Sequence, residues 1–336
     1  MNFPRRNALP AFLVLTCVAG PLTAAPGDRY AIDNAEVFLS INVRKFLDAT
    51  IVSGDLDKLR QMLKGRHEIQ SELDAIGFDP FTDLDTLTVV GAPSQGSNQF
   101  LVIAHGRFDF NKLIGWTRKT LAEHSELLTT VEEGSSKFLA FTPPGRAEPV
   151  FVGWPDSETI VASPVKGFVA RAIEVGSDKA QSSLNQPAAD LLKILDDTNV
   201  VSFFALAGAL KNTPQADIIR HAVGGLGIDQ GLHLTVAVTA KNADAARQLE
   251  NTVTEGVAQA KSTVSLMSHR QKELAPVVSF LGAVKVTREG DTVNIRGDLT
   301  QDTLTKPSQD RPSNGPSASP RQPVRRPAPK RPLRGS

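Results

Sequence analysis

Short runs of β-branched and aromatic residues recur along this chain of 336 residues, many of them closed by glycine-, proline- or aspartate-containing turns, and only a few long helical stretches interrupt them. Helical runs that are few and long, among many hairpins, suit helices packed on one face of mainly antiparallel sheets. The expected fold class is therefore α+β. Residues 36–41 read as a first strand. A helical stretch follows, with Leu56, Leu59, Leu63, Leu73 and Ile76 at mostly three-and-four spacing, Ser53 at its start and Gly77 at its end. After an aspartate-rich turn come strands at 86–90 and 100–105, then an amphipathic helix at 111–122. Strands at 128–132, 138–142, 150–154 and 159–162 follow, and then a helix at 165–175.

The second half follows a related order: a strand at 200–206, a helix through Ile218, Ile219, Ala222 and Val223, and a strand at 232–238. A long helix then starts at Asn242, with Ala246, Leu249, Val253, Val257, Ala260 and Val264 as its apolar face, and strands at 284–287 and 292–296 close the body. Three short matches recur in the same order. Gly77-Phe78-Asp79 resembles Gly227-Ile228-Asp229, and Leu87-Thr88-Val89 resembles Leu234-Thr235-Val236. Glu133-Gly134 and Glu289-Gly290 both fall at hairpin turns. The shared order points to an internal repeat, with related α+β halves at 30–180 and 187–305 and their boundary in the mostly polar residues 177–185.

Both ends of the chain differ from this body. Arg5 and Arg6 precede an apolar run over residues 8–19; Gly20-Pro21 breaks it, and Leu22-Thr23-Ala24 offers a small-residue cleavage site. That is the order of an export signal over residues 1–24, so an exported protein, periplasmic or extracellular, is expected. No second long apolar run follows, so no transmembrane helix is expected in the mature chain. The single cysteine, Cys17, leaves with the signal, which excludes disulfides, Cys-ligated zinc and a cysteine nucleophile. Residues 306–336 hold eight prolines and eight basic side chains against one acid, Asp310. Such a segment cannot bury enough apolar surface to offset its ordering entropy, so a disordered basic tail is expected. Since the whole chain has net charge +1, the body between leader and tail is acidic, at about −8. Arg321, Arg325, Arg326, Lys330, Arg331 and Arg334 are the candidates for holding an anionic surface, either envelope polymer or lipid head groups. No nucleic-acid motif occurs, and aromatics at 6% are thin for base stacking.

The export signal, the repeated order and the segments Leu87-Thr88-Val89-Val90 and Leu101-Val102-Ile103-Ala104-His105-Gly106-Arg107-Phe108-Asp109 resemble secreted bacterial proteins of unknown function. The resemblance implies a bacterial envelope setting and no particular reaction.

Chemistry-bearing residues are sparse. His105 and Asp109 are the candidate catalytic pair, as a general base and its orienting carboxylate where a strand meets a helix. The competing reading makes Asp109 a helix N-cap, Gly106 a turn and Phe108 a packing residue. Asp79, Asp83 and Asp85 miss the calcium-loop spacing and read as turn formers. His67, His124, His221, His233 and His269 have no metal-binding spacing. Gly224-Gly225-Leu226-Gly227 lacks the Lys-Ser/Thr of a phosphate loop, and no nucleophile elbow occurs, so no cofactor is expected. The expected function is a non-catalytic binding or scaffolding module of the bacterial envelope. Its alternatives are a secreted hydrolase using His105 and Asp109, and a carrier of an apolar ligand in a pocket of a few hundred Å³ between sheet and helices.

Overall fold

The structure, a computed structural model, describes residues 29–300, except 50–55, 65–66, 97–98, 143–144, 146, 182–183, 212, 214, 269–270 and 272–273. The expected leader over residues 1–24, the basic segment 306–336 with its six arginine and lysine candidates, Ser53 and His269 lie outside the described residues. In chain order the elements are β1 (Val37–Asn42), α1 (Val43–Asp48), α2 (Leu56–Lys64), α3 (His67–Ile76), β2 (Leu84–Gly91), β3 (Phe100–Gly106), α4 (Phe110–Glu123), β4 (Leu128–Glu133), β5 (Ser136–Phe141) and β6 (Val150–Asp156). They continue with β7 (Thr159–Ser163), α5 (Lys166–Gly176), α6 (Gln186–Lys193), β8 (Val201–Leu206), β9 (Ile219–Ile228), β10 (Gly231–Ala240), α7 (Ala243–Ser268), α8 (Ala275–Ala283), β11 (Lys285–Glu289) and β12 (Thr292–Thr300).

Local chemistry explains many of the boundaries. Asp109 caps α4 by accepting from the Lys112 amide, and Asn185 caps α6 in the same way, with Pro187 in its first turn. Gly77 closes α3 at φ +66°. Gly134 and Gly290 turn the β4–β5 and β11–β12 hairpins at φ +59° and +61°, a region closed to most side chains.

The strands form one twelve-stranded antiparallel sheet in the order β11-β12-β10-β9-β8-β1-β2-β3-β7-β6-β5-β4. The fold is α+β, and the strands of its two halves join through β1 and β8, where Phe38 lies opposite Phe204 and Leu39 opposite Phe203. Outward from that pair the chain takes the same path on each side: two further antiparallel strands consecutive in sequence, then the last strand of a later hairpin. The three short sequence matches do not fall on equivalent places along these paths. Gly77 ends a helix, whereas Gly227 lies inside β9; Leu87 is in β2, whereas Leu234 is in β10.

Side chains alternate between the two faces of the sheet, and both faces of its centre are apolar. Helices accordingly pack on both faces rather than one. The first face carries Phe38, Val90, Leu101 and Phe204, buried with Val169 and Ala172 of α5, Ala188 and Leu191 of α6, and Tyr30, Ala31, Ile32 and Ala35 from the segment before β1. The Phe38 and Phe204 rings stack at 5.6 Å. On the second face, Ala246 and Leu249 of α7 form a smaller core with Val293 and Val238, and Phe280 of α8 covers Gly297. α4 lies on this same face over β5 and β6.

One element differs in kind from its expectation. The helix expected through Ile218 and Val223 is a single 3-10 turn over Ala216–Ile218 followed by strand β9. Gly224, Gly225 and Gly227 are poor helix formers, and both edges of β9 are paired, to β8 and β10. A Cβ on Gly225 would stand 2.6 Å from the Val201 carbonyl oxygen, so the bare backbone permits the close approach of β8.

Candidate functional site

Two regions gather side chains of functional interest: a polar cluster on the first face around His105, and an apolar strip on the second face with a pocket at its flank. His105 is the penultimate residue of β3, and its Nδ1 lies 3.1 Å from Thr159 Oγ1 in β7. The Tyr30 ring stands 6.1 Å from the His105 ring, and the Tyr30 hydroxyl donates to Asp156 Oδ2. Burial, reinforced by Asp156, pushes the Tyr30 hydroxyl up to about 12. Burial would raise the Asp156 carboxyl too, but the Tyr30 hydroxyl, the Glu158 amide and the Thr159 hydroxyl outweigh it and hold that carboxyl below its usual range.

Asp109 has separate duties from His105. It accepts from the Lys112 amide at 3.1 Å and lies 3.8 Å from the Lys112 ammonium. Gly106 fits its turn closely, since a Cβ there would meet the Asp83 carbonyl. Phe108 packs at 5.4 Å against Phe78 and at 6.1 Å against Phe110, which in turn lies 6.4 Å from Trp154. Tyr30 and Asp156 were invisible to sequence reasoning because no local pattern links two residues so far apart in the chain.

The remaining polar candidates serve turns. Asp79 Oδ1 accepts from the Phe81 amide at 2.9 Å, Asp83 Oδ2 from the Asp79 amide at 2.8 Å, and Asp85 pairs with Arg44 at 3.3 Å. His233 sits between Asp298, 2.8 Å from its Nδ1, and Asp229, 3.0 Å from its Nε2. Those two carboxylates raise its pKa. Among the described residues no group of three or more His, Cys, Asp or Glu side chains is arranged to hold a metal ion.

On the second face, the central strands present Leu39, Ile41, Leu87, Val89, Val201 and Phe203, all in alternation with the buried first-face set. None belongs to either buried core; five are half-buried, and Leu39 is 38% exposed. The strip lies between α4 on one flank and α7 with α8 on the other, while α2 packs on α3 and α3 packs on α4. Under α4 lies an open pocket of about 160 Å³, with Ile114, Thr117, Leu121, Leu139 and Trp154 in its walls and Arg118 and Lys137 beside them. A second open hollow, of about 200 Å³ on the first face, lies between the loop before β8 and strands β9, β10 and β12. Among the described residues no helix is long and apolar enough to cross a membrane.

No family model and no curated protein matches this chain. Among solved structures, TP0453 in crystal form I is similar at 13% identity and a TM-score of 0.45, over 84% of this chain and 96% of its own. That likeness is too distant to bear on function.

Proposed function

We propose that this chain is a non-catalytic binding or scaffolding module of the bacterial envelope, holding its ligand or partner on the second face of the sheet. The observation that carries the reading is the strip of Leu39, Leu87, Val89, Val201 and Phe203, left partly open between two helical flanks. Burying apolar surface contributes about 25 cal/mol per Å², so a contiguous open strip marks a surface that gains by being covered. The polar groups near His105 support the same reading: Asp109 caps a helix and Asp156 holds Tyr30, so both are occupied in the fold. The leader argues for the envelope address, and the basic segment 306–336 for contact there with anionic polymer or lipid head groups.

Three measurements test this. In the full mature chain, Leu39→Gln combined with Phe203→Gln is expected to abolish binding of an anilinonaphthalene-sulfonate dye while the circular dichroism spectrum is kept. Undiminished dye binding overturns the apolar-face reading. Truncation after Thr305 is expected to remove salt-sensitive binding to anionic vesicles, and unchanged binding removes the tether. Fractionation is expected to find the chain in the envelope without residues 1–24; a cytosolic chain that keeps Met1 overturns the address.

A further inference from the structure

The pocket under α4 is chemically different from the strip beside it. Its apolar lining comes from Ile114, Leu121, Phe138, Leu139 and Trp154. Thr117, on the inner side of α4, is only 7% exposed, and its hydroxyl has no hydrogen-bond partner among the described residues. A buried hydroxyl without a partner is costly, so the inner side of α4 carries a polar group that the free protein leaves unpaired. The next residue, Arg118, is exposed and makes no hydrogen bond or ion pair among the described residues. Lys137 adds a second cation, held 3.1 Å from Glu132. A largely apolar hollow with Thr117 and Thr130 in its lining, and a guanidinium beside it that is unpaired among the described residues, matches a molecule with an apolar tail and an anionic head.

We infer that this pocket binds a free single-chain alkyl carboxylate. Its volume of about 160 Å³ is close to that of cavities known to accept benzene, roughly 150 Å³, so it has room for one chain of about six to eight carbons. The Thr117 hydroxyl and the Arg118 guanidinium donate to the carboxylate, and the chain lies against Leu121, Leu139 and Trp154. Ile114, 37% exposed in the free protein, closes over the chain at the mouth. The inference rests on reading the chain as a binding module, but it uses a different surface from the central strip.

The test is calorimetric titration of the full mature chain with octanoate and with octanol. Octanoate is expected to saturate one site, with octanol at least about tenfold weaker for want of a charge-assisted hydrogen bond. Arg118→Gln, at an exposed position, is expected to lose about the same factor. Thr117→Val is expected to raise the melting temperature of the free chain, by removing the unpartnered hydroxyl, and yet to weaken octanoate. Leu121→Trp is expected to fill the pocket and abolish binding. The Leu39→Gln, Phe203→Gln variant is expected to bind octanoate normally, so that failure of the dye experiment and failure of this one are separable. Absence of saturable octanoate binding, equal affinity for octanol, or unchanged affinity in Arg118→Gln overturns the assignment.

Discussion

Tyr30 is the chain's single tyrosine, and it reaches from the segment before β1 to Asp156 at the far end of β6. Arg29 beside it donates to the Val175 carbonyl at 3.1 Å, so two adjacent side chains fasten this segment across the first face. Tyr30→Phe is expected to cost about 1–2 kcal/mol in urea denaturation, because Asp156 loses its hydroxyl donor while the ring still packs. The pH profile carries a signature of the same bond. Asp156 is depressed in the folded chain, so its stabilisation is present above the unfolded carboxyl range and is lost as pH falls through the lower folded value. Tyr30 is raised, so its share is present below its ordinary value of 10.0 and is lost as pH rises toward about 12. The alkaline loss is expected to vanish in Tyr30→Phe, which melting curves between those pH values would reveal.

Hairpins set much of the sheet, and glycines set the hairpins. Nothing lies within 4 Å of a Cβ built on Gly290, so its substitution by alanine meets backbone strain alone. Gly290→Ala is expected to cost about 1–2 kcal/mol in thermal or urea unfolding, with Gly290→Asn milder, since asparagine visits the left-handed region more readily. In β10, His233 faces Asp298 across the ladder to β12 and Asp229 in the preceding turn. Its raised pKa means that the protonated form is favoured by folding, so the stabilisation is present below the unfolded value of 6.5 and disappears as pH rises through the folded one. Melting temperature is expected to fall across that window in low salt, and less so in His233→Gln. Hairpin turns and helix caps were legible because each is a contract between near neighbours, such as Asp109 with the Lys112 amide. The β9 strand was not, because Ile218, Ile219, Ala222 and Val223 fit a helical spacing as well as a strand, and only β8 and β10 decide between the two.

The single sheet makes the halves depend on each other. The larger core holds Phe38 and Leu101 from one and Leu191 and Phe204 from the other, so neither closes it alone. Phe204→Ala is expected to cost about 3–5 kcal/mol and to destabilise both halves together in one calorimetric transition. A shift confined to residues after 186, read by hydrogen exchange, would contradict that coupling. The α+β class, most strand positions, the longer helices, the cap of α4 and the glycine turns follow from local preference and periodicity, which each stretch of chain carries with it. The union of two strand sets through β1 and β8, the division of helices between two faces, the bond from Tyr30 to Asp156 and the pocket under α4 do not. They arise where residues distant in the chain meet, and the energy of such meetings depends on burial and register that no single segment contains.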